Sequence, residues 1–225
     1  DTEVILNLYR LQGVQCLARL RGMFAFAIWD KAQQRLFIAR DRVGIKPLYY
    51  LRSSRVFAFA SEIKAIAAAG CSALRVSRTA LAGFLRFLVV PQPETIFDDI
   101  RKLEPGRYLV IGADGAVREE TYWAPPASAA RDDDEPGQVA ALDAALRESV
   151  RYHMVADVPV GAFLSGGLDS SAVVSLMRHE APAMELHAYS IGFPGQERYD
   201  ETGWARRVAE LKNIGFHAQT IDPRF

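Results

Sequence analysis

The spacing of apolar and polar residues changes near the middle of the chain. Up to about residue 123, short apolar runs such as 22–30 and 35–40 are separated by polar turns, which predicts hairpins. Beyond residue 137, apolar runs alternate with stretches of helical spacing, which predicts β–α units around a parallel sheet. The fold class predicted is therefore two domains, an α+β arrangement with antiparallel sheets followed by an α/β parallel-sheet domain.

The individual elements follow from apolar periodicity and from turn residues. In the first part we expect two helical segments within 1–20, a buried strand at 22–30, a second strand at 35–40, and a loop that returns into a strand within 41–50. A further strand at 56–60, a short helix capped by Ser61, a helix at 78–88, and a hairpin of 106–111 with 116–120 are expected to follow. In the second part we expect helices at 137–154, 169–179 and 200–211, and strands at 158–164, 186–193 and 216–221.

A linker is predicted between the two parts. Prolines and an acidic run occupy 124–136, and this stretch has almost no large apolar residues. The predicted boundaries are thus 1–123 for the first domain, 124–136 for the linker and 137–225 for the second domain. We interpret the acidic run as solvated linker rather than as a metal site.

Composition narrows the function without identifying it. Lys+Arg and Asp+Glu number 27 each, so neither a nucleic acid nor a membrane surface is expected as a partner. The two cysteines, Cys16 and Cys71, form no disulfide framework, which favours a cytoplasmic location. The four histidines lack the spacing of a zinc site. The chain starts directly on a helical pattern without a methionine, and we expect an internal segment of a longer protein.

The strongest chemical signal is the stretch V-P-V-G-A-F-L-S-G-G-L-D-S-S-A-V-V-S-L-M at 158–177. It predicts a strand buried on both faces, a turn at Ser165, Gly166 and Gly167, and a helix that opens near Asp169. Backbone N–H groups that converge beside a helix N-terminus bind anions, so we expect a phosphate or pyrophosphate at this turn. The helix is expected to pack on the sheet through one apolar face, made of Leu168, Ala172, Val173, Leu176 and Met177.

A purely structural interpretation of the same turn stays open. Asp169 and Ser170 could simply cap the helix in a tight strand-to-helix connection. The Walker loop is excluded because no G-K-[ST] follows, and the dinucleotide fingerprint G-x-G-x-x-G is absent.

The motif S-G-G-L-D-S-S resembles the pyrophosphate loop of ATP-pyrophosphatases. Together with the upstream R-D-R-V-G-I-K-P-L-Y-Y at 40–50, it is similar to the glutamine-hydrolysing asparagine synthetases, and the resemblance extends from Asp1 to about Ile221. It implies part of a glutaminase domain of the N-terminal-nucleophile type, then part of an adenine nucleotide alpha hydrolase-like synthetase domain. It also implies ATP and Mg²⁺, glutamine and aspartate as substrates, a β-aspartyl-AMP intermediate, and the products asparagine, glutamate, AMP and pyrophosphate. A homodimer is compatible with this family.

The resemblance further implies roles for individual residues. Asp169 would ligate Mg²⁺, and Asp1 would bind the α-ammonium group of glutamine, although Asp1 could equally cap the first helix. The residues implied in ATP binding are Leu164 and Ile191 around the adenine, and Ser165, Gly166, Gly167, Asp169, Ser170 and Ser171 around the phosphates.

Two catalytic features of the family, the nucleophilic cysteine and an acidic loop, are missing from this sequence. Neither Cys16 nor Cys71 can be the N-terminal nucleophile, so no catalytic residue is assigned and we expect the segment alone to be inactive. The second, acidic loop S-G-E-G-S-D-E of the synthetase site is also absent.

Two alternatives and one structural interpretation complete the expectations. The chain could belong to a related amidotransferase or a β-lactam synthetase-like enzyme with another carboxylate acceptor, or to a non-catalytic nucleotide-binding module. In the first part, Arg40 and Asp41 are interpreted as a buried ion pair that holds a turn rather than as catalytic residues.

Overall fold

The computed structural model describes residues 1–127, 134–193, 195 and 199–221 of the protein. The chain forms two compact units, Asp1–Ala129 and Ala130–Phe225. Within the described ranges, no helix combines the length and the apolar content that crossing a bilayer requires.

The first unit contains three α-helices and seven strands among its described residues. The helices are α1 (Thr2–Gln12), α2 (Ile63–Ala68) and α3 (Arg78–Phe87). The strands are β1 (Ala25–Asp30), β2 (Arg35–Arg40), β3 (Tyr49–Arg52), β4 (Phe57–Ala60), β5 (Ile100–Lys102), β6 (Arg107–Gly112) and β7 (Val117–Thr121).

Antiparallel pairing builds two sheets in this unit, as the sequence predicts. One has the order β1-β2-β6-β7 and the other the order β4-β3-β5. The hairpins of β1 with β2 and of β6 with β7 are both confirmed, whereas β5 was not predicted. The central strands β2 and β6 supply the buried residues of the four-stranded sheet, but the expectation of a buried first strand is wrong. The residues of β1, which lies at the sheet edge, mostly alternate in exposure, so this strand buries one face only.

The helix ends of the first unit follow from local hydrogen bonds. Asp1 caps α1 by accepting the Thr2 N–H at 2.8 Å, and Gly13, with a φ of 57°, ends this helix. The second predicted helical segment is a 3-10 helix, Gly13–Arg19, which buries Cys16 and Leu17. Ser61 does not cap α2, because that helix begins one residue later, after Glu62, and no side chain caps it in the described structure.

The second unit alternates helices and strands as predicted. Its helices are α4 (Glu135–His153), α5 (Leu168–Glu180) and α6 (Thr202–Leu211), and its strands are β8 (Gly161–Phe163), β9 (His187–Gly192) and β10 (Gly215–Thr220). The three strands pair in parallel in the order β10-β9-β8. In β9 alternate residues are buried, so one face of the sheet packs on a core shared with the helices and the other face is exposed.

The predictions for the first strand and helix of this unit need correction. The strand at 158–164 shrinks to β8, which lies at the sheet edge, and Phe163 is 84% exposed rather than buried on both faces. In α5 the buried residues are Val174 and Met177, whereas Leu168 and Val173 of the predicted packing face are exposed. An apolar residue in the first turn thus need not belong to the buried face.

The predicted linker at 124–136 is partly outside the described residues, because the structure does not describe 128–133. The helix predicted at 137–154 begins two residues earlier, at Glu135. Asp134 caps α4 by accepting the Gly137 N–H at 3.0 Å, and Glu135 with Pro136 already forms the first turn of the helix.

Candidate functional site

The glycine turn lies at the carboxyl end of β8, where it leads into α5. Leu164 extends the pairing with β9 by donating its N–H to the Tyr189 carbonyl at 2.9 Å, and its side chain is 2% exposed. Because β8 and β9 are parallel, the turn shares its sheet edge with Ile191 and Gly192 at the end of β9. This edge is where open α/β sheets bind ligands.

Hydroxyl groups close the turn through a small exposed network. Ser165 Oγ lies 3.0 Å from Ser170 Oγ, and Ser170 Oγ donates to the Gly167 carbonyl at 3.3 Å. Two backbone amides of the turn also enter it: Ser165 N–H donates to Ser170 Oγ at 3.3 Å, and Gly167 N–H donates to Ser165 Oγ at 3.2 Å. These bonds are long and solvent-exposed, so an incoming anion can replace them at little cost.

The first turn of α5 has free hydrogen-bonding capacity. Gly167 is its N-cap residue, and no side chain in the described structure caps it, so the cap that the sequence allowed for Asp169 and Ser170 does not form. Asp169 lies in the first turn and is exposed. Among the described residues, the buried Ser171 Oγ has no hydrogen-bond partner. An uncapped helix N-terminus with an orphaned hydroxyl matches an anion site better than a finished structural turn.

Gly166 is required by its surroundings as well as by its own conformation. Its φ of 84° is one that side chains disfavour. A Cβ added there would lie 2.5 Å from Trp204 Cβ and 2.6 Å from the Ala205 backbone N, both on α6. The turn therefore rests directly on the first turns of α6.

Asp200 is a residue of this edge that the sequence prediction placed inside a helix. It precedes α6, and its Oδ1 accepts both the Thr202 N–H at 2.9 Å and the Thr202 hydroxyl at 2.6 Å. The Thr202 hydroxyl and then the Thr202 amide lower the pKa of Asp200, because both favour the carboxylate. The signal for these two hydrogen bonds in the sequence is an aspartate two residues before a threonine at the start of a helical pattern.

Each acidic group that was predicted to bind a ligand is accessible. Asp169 is not part of any cluster of three or more metal-ligating side chains in the described ranges. Asp1, predicted to bind glutamine, is exposed and lies at the start of α1 with the N-cap hydrogen bond that the alternative interpretation required.

The turn after β2 contains two charged side chains, Arg40 and Asp41, whose hydrogen-bond partners are mostly backbone groups. Asp41 is fully buried, and its carboxylate accepts N–H bonds from Phe24 at 3.3 Å, Val43 at 3.2 Å, Ile45 at 2.9 Å and Lys46 at 2.9 Å. Arg40 is 6% exposed and donates to the carbonyls of Gly44, Lys46 and Leu103 and to Gln92 Oε1. Both side chains thus bind mainly backbone groups of the turn, which agrees with a scaffold role.

Comparison with known proteins divides the chain at nearly the same place as the structure. Residues 1–123 match the family described as glutamine amidotransferase domain, and residues 141–221 match the family described as asparagine synthase. Among solved structures, a glutamine phosphoribosylpyrophosphate amidotransferase from Bacillus subtilis matches with a TM-score of 0.40 and 17% identity, covering 97% of this chain and 38% of that one. So low a score carries no argument beyond the match itself.

Curated relatives match along nearly the whole chain. The glutamine-hydrolysing asparagine synthetases 1 and 3 of Bacillus subtilis are 37% and 35% identical to it, over 99% and 100% of this chain. An amidase of Gibberella zeae is 31% identical over 99% of this chain. The chain spans 34%, 38% and 35% of the length of these three relatives. Because the amidotransferase family covers more than half of the chain and the asparagine synthase family covers most of the rest, the chain belongs to the glutamine-hydrolysing asparagine synthetase family.

Proposed function

We propose that this chain is part of an ATP-dependent carbon–nitrogen ligase that uses glutamine as amide donor and converts aspartate to asparagine. The aspartate carboxylate would attack the α-phosphorus of ATP and release pyrophosphate, and ammonia would then displace AMP from β-aspartyl-AMP. Glutamate, AMP and pyrophosphate would be the other products. The observation that carries this proposal is the exposed glycine turn with its uncapped helix, in the part of the chain that matches the asparagine synthase family.

The residues at the sheet edge fit the parts of ATP. The free amides at the start of α5, with the hydroxyls of Ser165, Ser170 and Ser171, would hold the pyrophosphate group as it leaves. Leu164 is too buried to offer more than its backbone to the adenine, whereas Ile191, at 48% exposed, can offer its side chain. Gly166 and Gly167 would let the phosphates approach the backbone closely.

Mg²⁺ is compatible with the same place. In nucleotide sites this ion is held by one or two carboxylates together with the phosphates. The single exposed carboxylate of Asp169 would therefore be enough as the ligand supplied by the protein. When bound, the ion supplies charge neutralisation for the phosphates. The loop itself contributes orientation, since its amides lie on a helix anchored in the core.

In the first unit we infer the N-terminal-nucleophile type of fold and a glutamine-binding role for Asp1. Its carboxylate is exposed at the start of α1 and can accept bonds from an ammonium group. Cys16 is fully buried, and burial raises the pKa of its thiol, while Cys71 lies far along the chain from Asp1. We therefore expect this chain by itself to release no ammonia from glutamine. Domains at 1–123 and 137–225 joined by a linker at 124–136, a cytoplasmic location and a homodimer complete the proposal.

Titration of Mg-ATP into the chain by calorimetry tests the nucleotide part of this function. We expect binding that Asp169→Ala and Gly166→Val both weaken, because they remove the proposed metal ligand and the close approach of the loop. Asp157→Ala is a matched control, since Asp157 is also exposed but precedes β8, at the opposite edge of the sheet. Equal affinity of the wild type for ATP and adenosine would contradict the proposed phosphate site.

The acceptor is tested in the longer protein by ATP–pyrophosphate exchange. We expect exchange that depends on aspartate, and the higher identity to the asparagine synthetases than to the amidase supports this choice of acceptor. Exchange that needs another carboxylate would favour a related ligase, and absence of any exchange would favour a nucleotide-binding module.

A further inference from the structure

The first turn of α6 packs against glycines at the ends of two neighbouring strands. A Cβ on Gly166, after β8, would meet Trp204 and Ala205 as described above. A Cβ on Gly192, the last residue of β9, would lie 3.0 Å from Thr202 Cγ2 and 3.4 Å from an Asp200 carboxylate oxygen. Both glycines therefore leave room for the same helical turn, which contacts the glycine turn and the end of β9.

The first turn of α6 is held in place from two sides. On the sheet side, Ala205 and Ala209 of α6 are fully buried in the core, and the Ala205 N–H donates to the Glu201 carbonyl at 3.0 Å. On the loop side, the Asp200 carboxylate accepts hydrogen bonds from both the amide and the hydroxyl of Thr202. The first turn of α6 is thus held on both sides, and the glycine turn packs against it.

We propose that Asp200 is a positioning residue of the nucleotide site, which sets the shape of the glycine turn through α6. Asp200 holds Thr202, Thr202 places the first turn of α6, and that turn supports Gly166 on one side and Gly192 on the other. The distance between the phosphate-binding amides and the strand end that carries Ile191 is then determined by α6. This inference rests on the proposed function, since it concerns how the site binds Mg-ATP.

A direct role as a metal ligand is the rival explanation for an aspartate at this edge. The Asp200 Oδ1 atom is already used by two hydrogen bonds from Thr202. A positioning role needs an acceptor atom at this place but no charge, whereas a ligand role needs the charge. Asp200→Asn and Asp200→Ala therefore separate the two roles, because asparagine keeps the acceptor oxygen and alanine does not.

The experiment measures the dissociation constant of Mg-ATP by calorimetry and the stability of each variant by urea denaturation. We expect Asp200→Ala to weaken binding about tenfold or more, because small displacements of positioning groups have large effects. Asp200→Asn should remain within about threefold of the wild type if its amide oxygen replaces the carboxylate as acceptor. Thr202→Val, which keeps the shape of the side chain but lacks the hydroxyl, should be intermediate, and Thr202→Ser should bind like the wild type.

A control for general destabilisation is available beside β10, the outer strand on the side of the sheet opposite to β8. Ile214 is buried just before β10, and Ile214→Ala should lower stability at least as much as Asp200→Ala does while leaving Mg-ATP affinity unchanged. If Ile214→Ala weakens binding as strongly, the effect of Asp200 is merely structural and the proposal fails.

The remaining outcomes are equally decisive. Asp200→Ala with wild-type affinity would overturn the positioning role, and Asp200→Asn as weak as Asp200→Ala would replace it with a role for the charge. If Asp200→Ala does not fold, Thr202→Val with wild-type affinity overturns the proposal. Failure of the wild type to bind Mg-ATP would instead refute the proposed function, so the two hypotheses fail separately.

Discussion

Two polar turns, one in each unit, use the same kinds of residues in opposite ways. In the turn after β2, the Asp41 carboxylate is buried and accepts four backbone N–H bonds. In the glycine turn before α5, Asp169 is exposed, and Ser165 and Ser170 mostly bind each other at 3.0–3.3 Å. Buried polar groups with complete partners hold a fold together, whereas exposed groups with weak, replaceable partners remain available to a ligand.

The largest expected effect that tests this comparison is that of Asp41→Ala. The change leaves four backbone donors without their acceptor and the buried Arg40 without a neighbouring negative charge. We expect the free energy of unfolding of the first unit to fall by about 3–5 kcal/mol. Urea denaturation followed by circular dichroism measures this loss.

The same substitution in the other turn is the control. Asp169→Ala should change the free energy of unfolding by no more than about 0.5 kcal/mol, because Asp169 is an exposed surface residue. Equal losses of stability for Asp41→Ala and Asp169→Ala would break the comparison, since the glycine turn would then also be a structural element.

A smaller effect on stability is expected at Gly166. Alanine there must adopt a φ of 84° and displace α6 at Trp204, which together cost roughly 2–4 kcal/mol. Gly167→Ala is the matched change one residue later, where φ is −69° and a Cβ would meet only Ser165 Oγ, at 3.3 Å. Thermal denaturation of both variants should therefore show a large loss for Gly166→Ala alone, and a similar loss for both would contradict the role of α6.

Local patterns predicted much of this fold. The hairpins of the first unit and the strand–helix alternation of the second unit depend on apolar periodicity and turn residues, which the sequence displays directly. The short β8 was overestimated, because a run of apolar residues does not reveal whether its strand lies at the centre or at the edge of a sheet. Phe163 is apolar and nevertheless exposed.

The predicted site depended less on local pattern and more on contacts between distant residues. The glycine turn was located from its sequence, but the reason for Gly166 lies in Trp204, 38 positions later. Likewise, Arg40 was expected to pair with its neighbour Asp41, yet one of its bonds reaches the Leu103 carbonyl at 2.5 Å. Sequence spacing alone cannot indicate which distant backbone groups will meet a buried side chain.

The buried turn also predicts a stability change at high pH that the exposed turn does not share. The Tyr122 hydroxyl donates to the Arg40 carbonyl at 2.8 Å, and burial, with the nearby Asp41 charge, raises the pKa of Tyr122 to about 12. The folded pKa lies above the unfolded value of about 10, so the stabilisation is complete below pH 10 and is lost as the pH rises towards 12. Burial and the Glu120 carboxylate also raise the pKa of Tyr108 to about 12, so Tyr108 contributes in the same direction.

Tyr122→Phe should therefore reduce the fall in stability between pH 10 and pH 12 without abolishing it, because the pKa values of Tyr108, Tyr9 and Tyr50 are also raised by burial. Denaturation curves at several pH values, together with absorbance titration of the phenolates, measure both quantities. If the free energy of unfolding falls equally with pH in Tyr122→Phe and in the wild type, burial in this turn does not raise the pKa of Tyr122.

A small effect on stability is also expected for Ser170→Ala, and this variant sharpens the comparison most. The hydroxyl of Ser170 makes only long local bonds in the glycine turn, so the free energy of unfolding should change by no more than about 0.5–1 kcal/mol. The dissociation constant of Mg-ATP should nevertheless rise by about threefold to tenfold, as expected when one hydrogen bond to a charged phosphate is lost. If Ser170→Ala instead lowered stability by several kcal/mol without changing Mg-ATP affinity, the hydroxyls of this turn would serve the fold, just as the Asp41 carboxylate does in the first unit.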